Sequence, residues 1–189
     1  DVVTTSSVLP VGKHYDYRVE SLNGAAFAQL RWEASSATRV MAGVRVERQD
    51  YDYDNRMLAG NTDENGVPCL PAGCLYSRPA DRSDSFANAA PKLSLRWDAA
   101  TDLMLYANAS RGFRPPEMTE LYRLQRNQSV AELDSEQVDA YEIGLKFARG
   151  GWSGELAGFD MRKDNVILRD SNGFYVSAGR TSHEGVEYT

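Results

Sequence analysis

The sequence predicts an all-β fold, an antiparallel up-and-down meander of about seven strands that forms part of a transmembrane β-barrel. Three observations predict it. Apolar and polar residues alternate with period two along most of the chain, the connections between those segments alternate between short and long, and all three tryptophans fall beside short connections.

The first segment, Ala26 to Ala34, puts Ala26, Ala28, Leu30, Trp32 and Ala34 on one face and Phe27, Gln29, Arg31 and Glu33 on the other. That is the pattern of a strand with a single apolar face. Thr38 to Asp54 follows, with Val40, Ala42, Val44 and Val46 opposing Met41, Gly43, Arg45 and Glu47. In Pro91 to Trp97, Leu93, Leu95 and Trp97 oppose Lys92, Ser94 and Arg96; from Leu103, Leu105, Ala107 and Ala109 oppose Met104, Tyr106, Asn108 and Ser110. A fifth strand alternates Tyr141, Ile143, Leu145 and Phe147 with Glu142, Gly144 and Lys146. A sixth, weaker in its alternation, runs from Trp152 towards Leu168, and a seventh from Gly173 to Tyr188. No stretch reads as a helix.

Short turns are expected near residues 35–37, 98–101 and 148–151, and long polar loops at about 51–85 and 112–134. If each strand reverses direction, every short turn falls on one rim and every long loop on the other, the organisation of an outer-membrane barrel. Trp32, Trp97 and Trp152 each lie within about four residues of a different short turn, where indole rings suit a membrane interface. Core tryptophans of a soluble sandwich remain the alternative at this stage. Arg31, Glu33, Arg45, Glu47, Lys92, Arg96 and Lys146 oppose the apolar face, as a wet lumen or a solvated outer surface would require.

A formal charge of -6 without a basic run excludes a nucleic-acid binder. No apolar run is long enough for a membrane helix, a test that barrel strands pass because only alternate residues need be apolar. Cys69 and Cys74 are close enough in sequence for a disulfide in an oxidising compartment, with two free thiols as the alternative. No metal site is expected, since neither His14 nor His183 lies at ligand spacing from them. Asp50, Asp52, Asp54, Asp63 and Glu64 lack the spacing of a calcium loop and read as solvated. With no phosphate loop or nucleophile elbow, neither an enzyme nor a cofactor is expected.

The segment LMLYANASRGFRPPEMTELY, Leu103 to Tyr122, starts as a strand and breaks. Crossing from the rim at residues 98–101, it spans a bilayer by about Arg111. Gly112 is expected to take a conformation that a side chain resists, and Pro115 and Pro116 cannot donate to a ladder.

YANASRGFRPPEMTELY resembles the rim motif of TonB-dependent outer-membrane receptors, Tyr-x-x-x-Ser-x-Gly-Phe-Arg followed by proline and Glu-Leu-Tyr. GVRVERQDYDYDN, LDSEQVDAYEIGLKF and SAGRTSHEGVEYT are similar to further pieces of that family, in the same order; NQSVAELDSE stands where the family commonly has Asn-Pro-x-Leu. The resemblance implies a plug inside a barrel of about twenty-two strands. Residues 1–189, which hold neither plug nor TonB box, are then expected to be part of the barrel domain of a longer receptor. It also implies the bacterial cell outer membrane, the lipid bilayer as a partner, the TonB system as another through the plug region, and energised uptake of a scarce nutrient, a ferric siderophore foremost. A passive porin and a soluble all-β binding domain are the competing readings. In HYDYR, DYDYDNR and ELYRLQR, residues Tyr15, Tyr17, Tyr51, Tyr53, Tyr122, Arg123 and Arg126 are the candidate ligand contacts, since aromatic faces and guanidinium groups suit a bulky anionic chelate. Arg111, Gly112, Phe113, Arg114 and Pro115 are expected to fix the loop at the rim.

Overall fold

The computed structural model describes residues 2–4, 12–69 and 73–189. In chain order the elements are β1 (Val2–Thr4), β2 (Gly12–Tyr15), β3 (Tyr17–Glu33), β4 (Thr38–Asn55), β5 (Tyr76–Ser77), β6 (Arg82–Ala100), β7 (Leu103–Arg114), α1 (Met118–Tyr122), β8 (Leu124–Gln125), β9 (Glu136–Arg149), β10 (Trp152–Arg169) and β11 (Tyr175–Tyr188). Seven of these form one antiparallel sheet in the order β11-β10-β9-β7-β6-β4-β3; β1 pairs with β2, and β5 with β8.

The register makes one continuous apolar face. Leu30 pairs with Ala42 and Ala42 with Leu93; Leu95 pairs with Ala107 and Ala107 with Ile143; Ile143 pairs with Gly158 and Gly158 with Val186. Cross-strand partners point the same way, so the period-two pattern of each strand adds to its neighbours'. On this face Leu30 is 67% exposed, Ile143 66% and Val186 75%. The opposite face carries ion pairs, Arg39 to Glu33 at 2.8 Å and Lys146 to Glu155 at 2.8 Å.

The strands run further than the alternation suggested. β3 begins at Tyr17 and β6 starts at Arg82, while β4 ends at Asn55, one residue past the expected Asp54, so the two long connections shrink to residues 56–81 and 115–135. The added lengths alternate Tyr with Asp or are rich in Ser, which reads as loop in sequence but pairs without interruption, Tyr17 to Asn55 and Tyr53 to Arg82. A helix that the sequence did not announce, α1, lies in the second connection.

The strand at the rim motif also ends later than expected. Pairing passes through Gly112 to Arg114, opposite Glu136, and stops at Pro115. Gly112 is not among the residues of positive φ. Its missing side chain matters for space, because a Cβ there would stand 3.0 Å from Val138 Cγ1. The β6–β7 ladder, by contrast, ends early, at Lys92 opposite Ser110, beside Pro91, which has no N–H to give. Above that point β6 pairs only with β4, and β7 only with β9.

The buried cluster lies at the loop end of the sheet and not between two sheets. Tyr53, Leu121, Tyr122, Leu124, Ala131 and Leu133 form it, with Tyr17, Val19, Tyr51 and Phe86 packed against them. Tyr17, Val19, Tyr51, Tyr53 and Phe86 share by parity the face that carries Arg39 and Lys146 lower down. The second connection therefore folds inward over that face.

With hydrocarbon against the apolar face, Leu93→Arg is expected to cost about 2 to 4 kcal/mol, while Ser94→Arg, one residue on and facing the other way, costs little. Denaturant unfolding in lipid vesicles checks this; equal costs for the two would mean that the apolar face does not meet lipid.

Candidate functional site

At the end of β7 the charges of one strand meet those of the next. Arg111 is the register partner of Asp139, and Arg114 of Glu136. Arg111 binds Asp139 through Nε and Nη2 at 2.7 and 2.9 Å. Arg114 Nε donates to Glu136 at 2.7 Å, and its Nη1 to Glu120 of α1 at 3.1 Å. Glu120 also accepts the Glu117 N–H at 2.7 Å, closing the first turn of α1. Glu136 further takes Lys163 of β10 at 2.9 Å and the Ile167 N–H at 2.9 Å.

One carboxylate thus ties β7, β9 and β10 together, and through Arg114 it holds the helix. Hydrogen bonding from Arg114, with Lys163 and the Ile167 amide behind it, lowers the Glu136 pKa to about 2. Phe113, between the two arginines, pairs with Gln137.

The tyrosines divide into two groups. Tyr53 is 1% exposed and Tyr122 0%; their rings stack with centroids 4.4 Å apart, and Tyr122 Oη donates to Asp84 at 2.8 Å. Tyr15 is also buried and donates to the Leu124 carbonyl at 3.0 Å. Burial pushes all three phenols above their ordinary pKa, so they stay protonated as packing groups. Tyr51 is half-buried and donates to the Pro116 carbonyl at 3.2 Å. Tyr17 keeps part of its ring open and sits next to Arg123, whose Nε lies 3.4 Å from its hydroxyl. Of the seven candidate contacts, Tyr15, Tyr53 and Tyr122 are therefore sealed inside the loop core in this arrangement, while Tyr17, Arg123 and Arg126 reach the surface.

Arg78 gave no sequence signal, since a lone arginine in a polar loop looks solvated. It is buried. Its guanidinium donates to the carbonyls of Leu58 at 2.8 Å, His14 at 3.1 Å and Thr62 at 2.9 Å, and to Thr62 Oγ1 at 2.7 Å. It ties the start of this connection, at Leu58 and Thr62, to His14. A disulfide joins Cys69 to Cys74 in the same connection. Asn61 donates to the carbonyls of Cys74 and Tyr76, and accepts the Cys74 N–H at 2.8 Å.

A one-face apolar sheet with ionic lumenal residues and loops folded inward over its far end is the wall of a transmembrane β-barrel receptor. The family model for TonB-dependent receptor-like β-barrels matches residues 3–189, and the chain belongs to that family. Its place is the bacterial outer membrane. The metal-pseudopaline receptor CntO of Pseudomonas aeruginosa is 28% identical over 159 residues, 82% of this chain and 20% of that receptor. Among solved structures, the copper transporter OprC superposes with a TM-score of 0.67 at 18% identity, covering 90% of this chain and 26% of that one. The ferric yersiniabactin uptake receptor FyuA of Yersinia pestis gives 0.63 at 18% identity, covering 91% and 24%. The chain thus spans about a fifth of the length of the curated relatives it matches.

Because the folded pKa of Glu136 lies near 2 and an ordinary glutamate titrates near 4.5, its contribution to stability is complete above about pH 4.5 and is lost as pH falls through about 2. Glu136→Gln is expected to weaken the attachment of residues 115–135 by about 3 kcal/mol and to flatten that acid dependence, read by hydrogen exchange of the segment. Unchanged protection at pH 7 would show that Glu136 does not hold the loop.

Proposed function

We propose that this chain forms wall and outer loops of a receptor that imports a scarce metal as its chelate, a ferric siderophore foremost, with energy relayed by TonB through a plug region elsewhere in the protein. The family match across residues 3–189 carries this reading. The names of similar proteins support it, since they include metal-pseudopaline, copper and ferric yersiniabactin. Residues 1–189 act as part of a barrel domain, and transport is their function in place of catalysis.

In this reading the surface around Tyr17, Arg123 and Arg126 meets the ligand first. The buried Tyr15, Tyr53 and Tyr122 shape the loop that presents it, and Arg111, Arg114 and Pro115 anchor that loop at the rim. Tyr51, which holds the Pro116 carbonyl, belongs with the anchors.

The test is uptake in metal-starved cells. Deleting the gene for the full-length receptor is expected to reduce accumulation of its metal chelate severalfold, and deleting TonB to reduce it as much. Accumulation that needs the receptor but is indifferent to TonB would make the protein a passive porin.

A further inference from the structure

The outer, apolar face of the sheet is not even. A hollow of about 870 Å³ opens on it across β6, β7, β9, β10 and β11. Small residues lie along it, Ala107 and Ala109 on β7 and Gly158 on β10, while Leu93, Ile143 and Val186 stand around them. A second hollow of about 310 Å³ shares Leu93, Ala109 and Tyr141 with the first and reaches Arg111 and Asp139, where the β6–β7 ladder ends.

Polarity changes along this concavity within two steps of the ladder. Leu95, Ala107, Ile143, Gly158 and Val186 form one cross-strand row, and all are apolar. In the next row towards the long loops, Leu93, Ala109 and Tyr141 continue into Asp160 and Glu184. The row beyond carries Arg111, Asp139 and Arg162. Rows on one face are about 7 Å apart, so lipid-facing and charged surface meet inside a single concavity.

The charges at that end are unevenly matched. Asp139 takes Arg111 at 2.7 Å, and Asp160 takes Arg162 at 3.2 Å. Glu184 is the register partner of Asp160 on the same face, and it forms no ion pair among the described residues. Like charges directly opposite one another on a sheet repel, so this end of the hollow lacks a cation. Arg162 keeps 66% of its side chain open, and a guanidinium held by one carboxylate has N–H donors to spare.

We propose that the hollow holds one molecule of phosphatidylethanolamine, its acyl chain over Ala107, Ala109 and Gly158, its ammonium between Asp160 and Glu184, and its phosphate at Arg162 and Arg111. The bilayer against this face selects a lipid as the occupant, and the alternation of acid and base selects the headgroup. A phosphate without an amine meets uncompensated carboxylates, and a quaternary amine has no N–H to donate to them. Ammonium to carboxylate and guanidinium to phosphate are both charge-assisted hydrogen bonds. Seated there, the lipid bears on β6 and β7 together, just below the point where their backbone bonds stop.

The experiment uses the full-length receptor purified in detergent, with bound lipid counted by native mass spectrometry. The probes are phosphatidylethanolamine, phosphatidylglycerol, phosphatidylcholine and lipid A. The wild type is expected to hold one phosphatidylethanolamine on the order of tenfold more tightly than the other lipids. Glu184→Gln is expected to bring it down to the level of phosphatidylcholine. Gly158→Leu fills the hollow, and a Cβ at that position meets nothing nearer than the Gly185 carbonyl at 3.9 Å; retention is expected to fall by a similar factor while the barrel still closes. The heat-modifiable gel shift of a closed barrel confirms folding of each variant.

Equal retention of the three phospholipids by the wild type, or undiminished retention of phosphatidylethanolamine in either folded variant, overturns the site. Preferential retention of phosphatidylglycerol or lipid A overturns the headgroup and the proposal with it.

Discussion

Hydrocarbon accepts no hydrogen bonds, and that constraint shapes the rest of the molecule. Every backbone N–H and C=O of a strand in the bilayer must find a partner on a neighbouring strand, which forces the long uninterrupted ladders of β3, β4 and β6 and the two-residue alternation of their side chains. The same medium decides which face is apolar. Ala, Val and Leu turn outward where the wall meets lipid, and arginines, lysines and glutamates turn into a lumen where opposite charges meet along one strand, as Arg45 and Glu47 do, or across two, as Lys146 and Glu155 do.

Where the strands leave the membrane, the assignment of faces inverts. In β4 the outward positions change from Val40, Ala42, Val44 and Val46 to Asp50, Asp52 and Asp54, while the inward ones change from Arg45 and Glu47 to Tyr51 and Tyr53. Below the border the greasy side is outside and the ionic side inside; above it, carboxylates face the aqueous exterior and aromatic rings face the axis. Those inward rings are the floor on which Leu121, Tyr122 and Leu124 settle. A second core, small and local, thus arises at the loop end because water there surrounds the wall on its outer side.

The inversion also sets what could be read from sequence. The lipid-crossing parts were legible because a single medium holds the alternation steady from Leu103 to Ala109 or from Tyr141 to Phe147. DYDYDN keeps the same period with acidic residues in place of valines, so residues 51–54 read both as the end of the strand and as the start of the loop. The charge pairing of the rim motif was half legible. Arg111 and Arg114 stand out, but their partners Asp139 and Glu136 depend on a register set across a connection of uncertain length. Helix α1 has five residues, too few for a periodic pattern. The role of Arg78 rests on the carbonyls of Leu58 and Thr62 earlier in its own connection and of His14 far upstream, which no local signal encodes. The tyrosines were recognised as important to the loops, whereas burial, which separates scaffold from surface among them, is a property of the folded loop alone.

The early end of the β6–β7 ladder has a mechanical meaning. Above Lys92 and Ser110 the wall consists of two leaves, one of β3, β4 and β6 and the other of β7, β9, β10 and β11, with no backbone bonds across the seam. The second connection bridges them. Arg114 and Glu136 fasten α1 to one leaf, and Tyr122 fastens it to Tyr53 and Asp84 of the other. The segment that presents arginines to the outside is therefore also a cross-brace, and any load that pulls it inward or outward is transmitted as a change in the spacing of the two leaves.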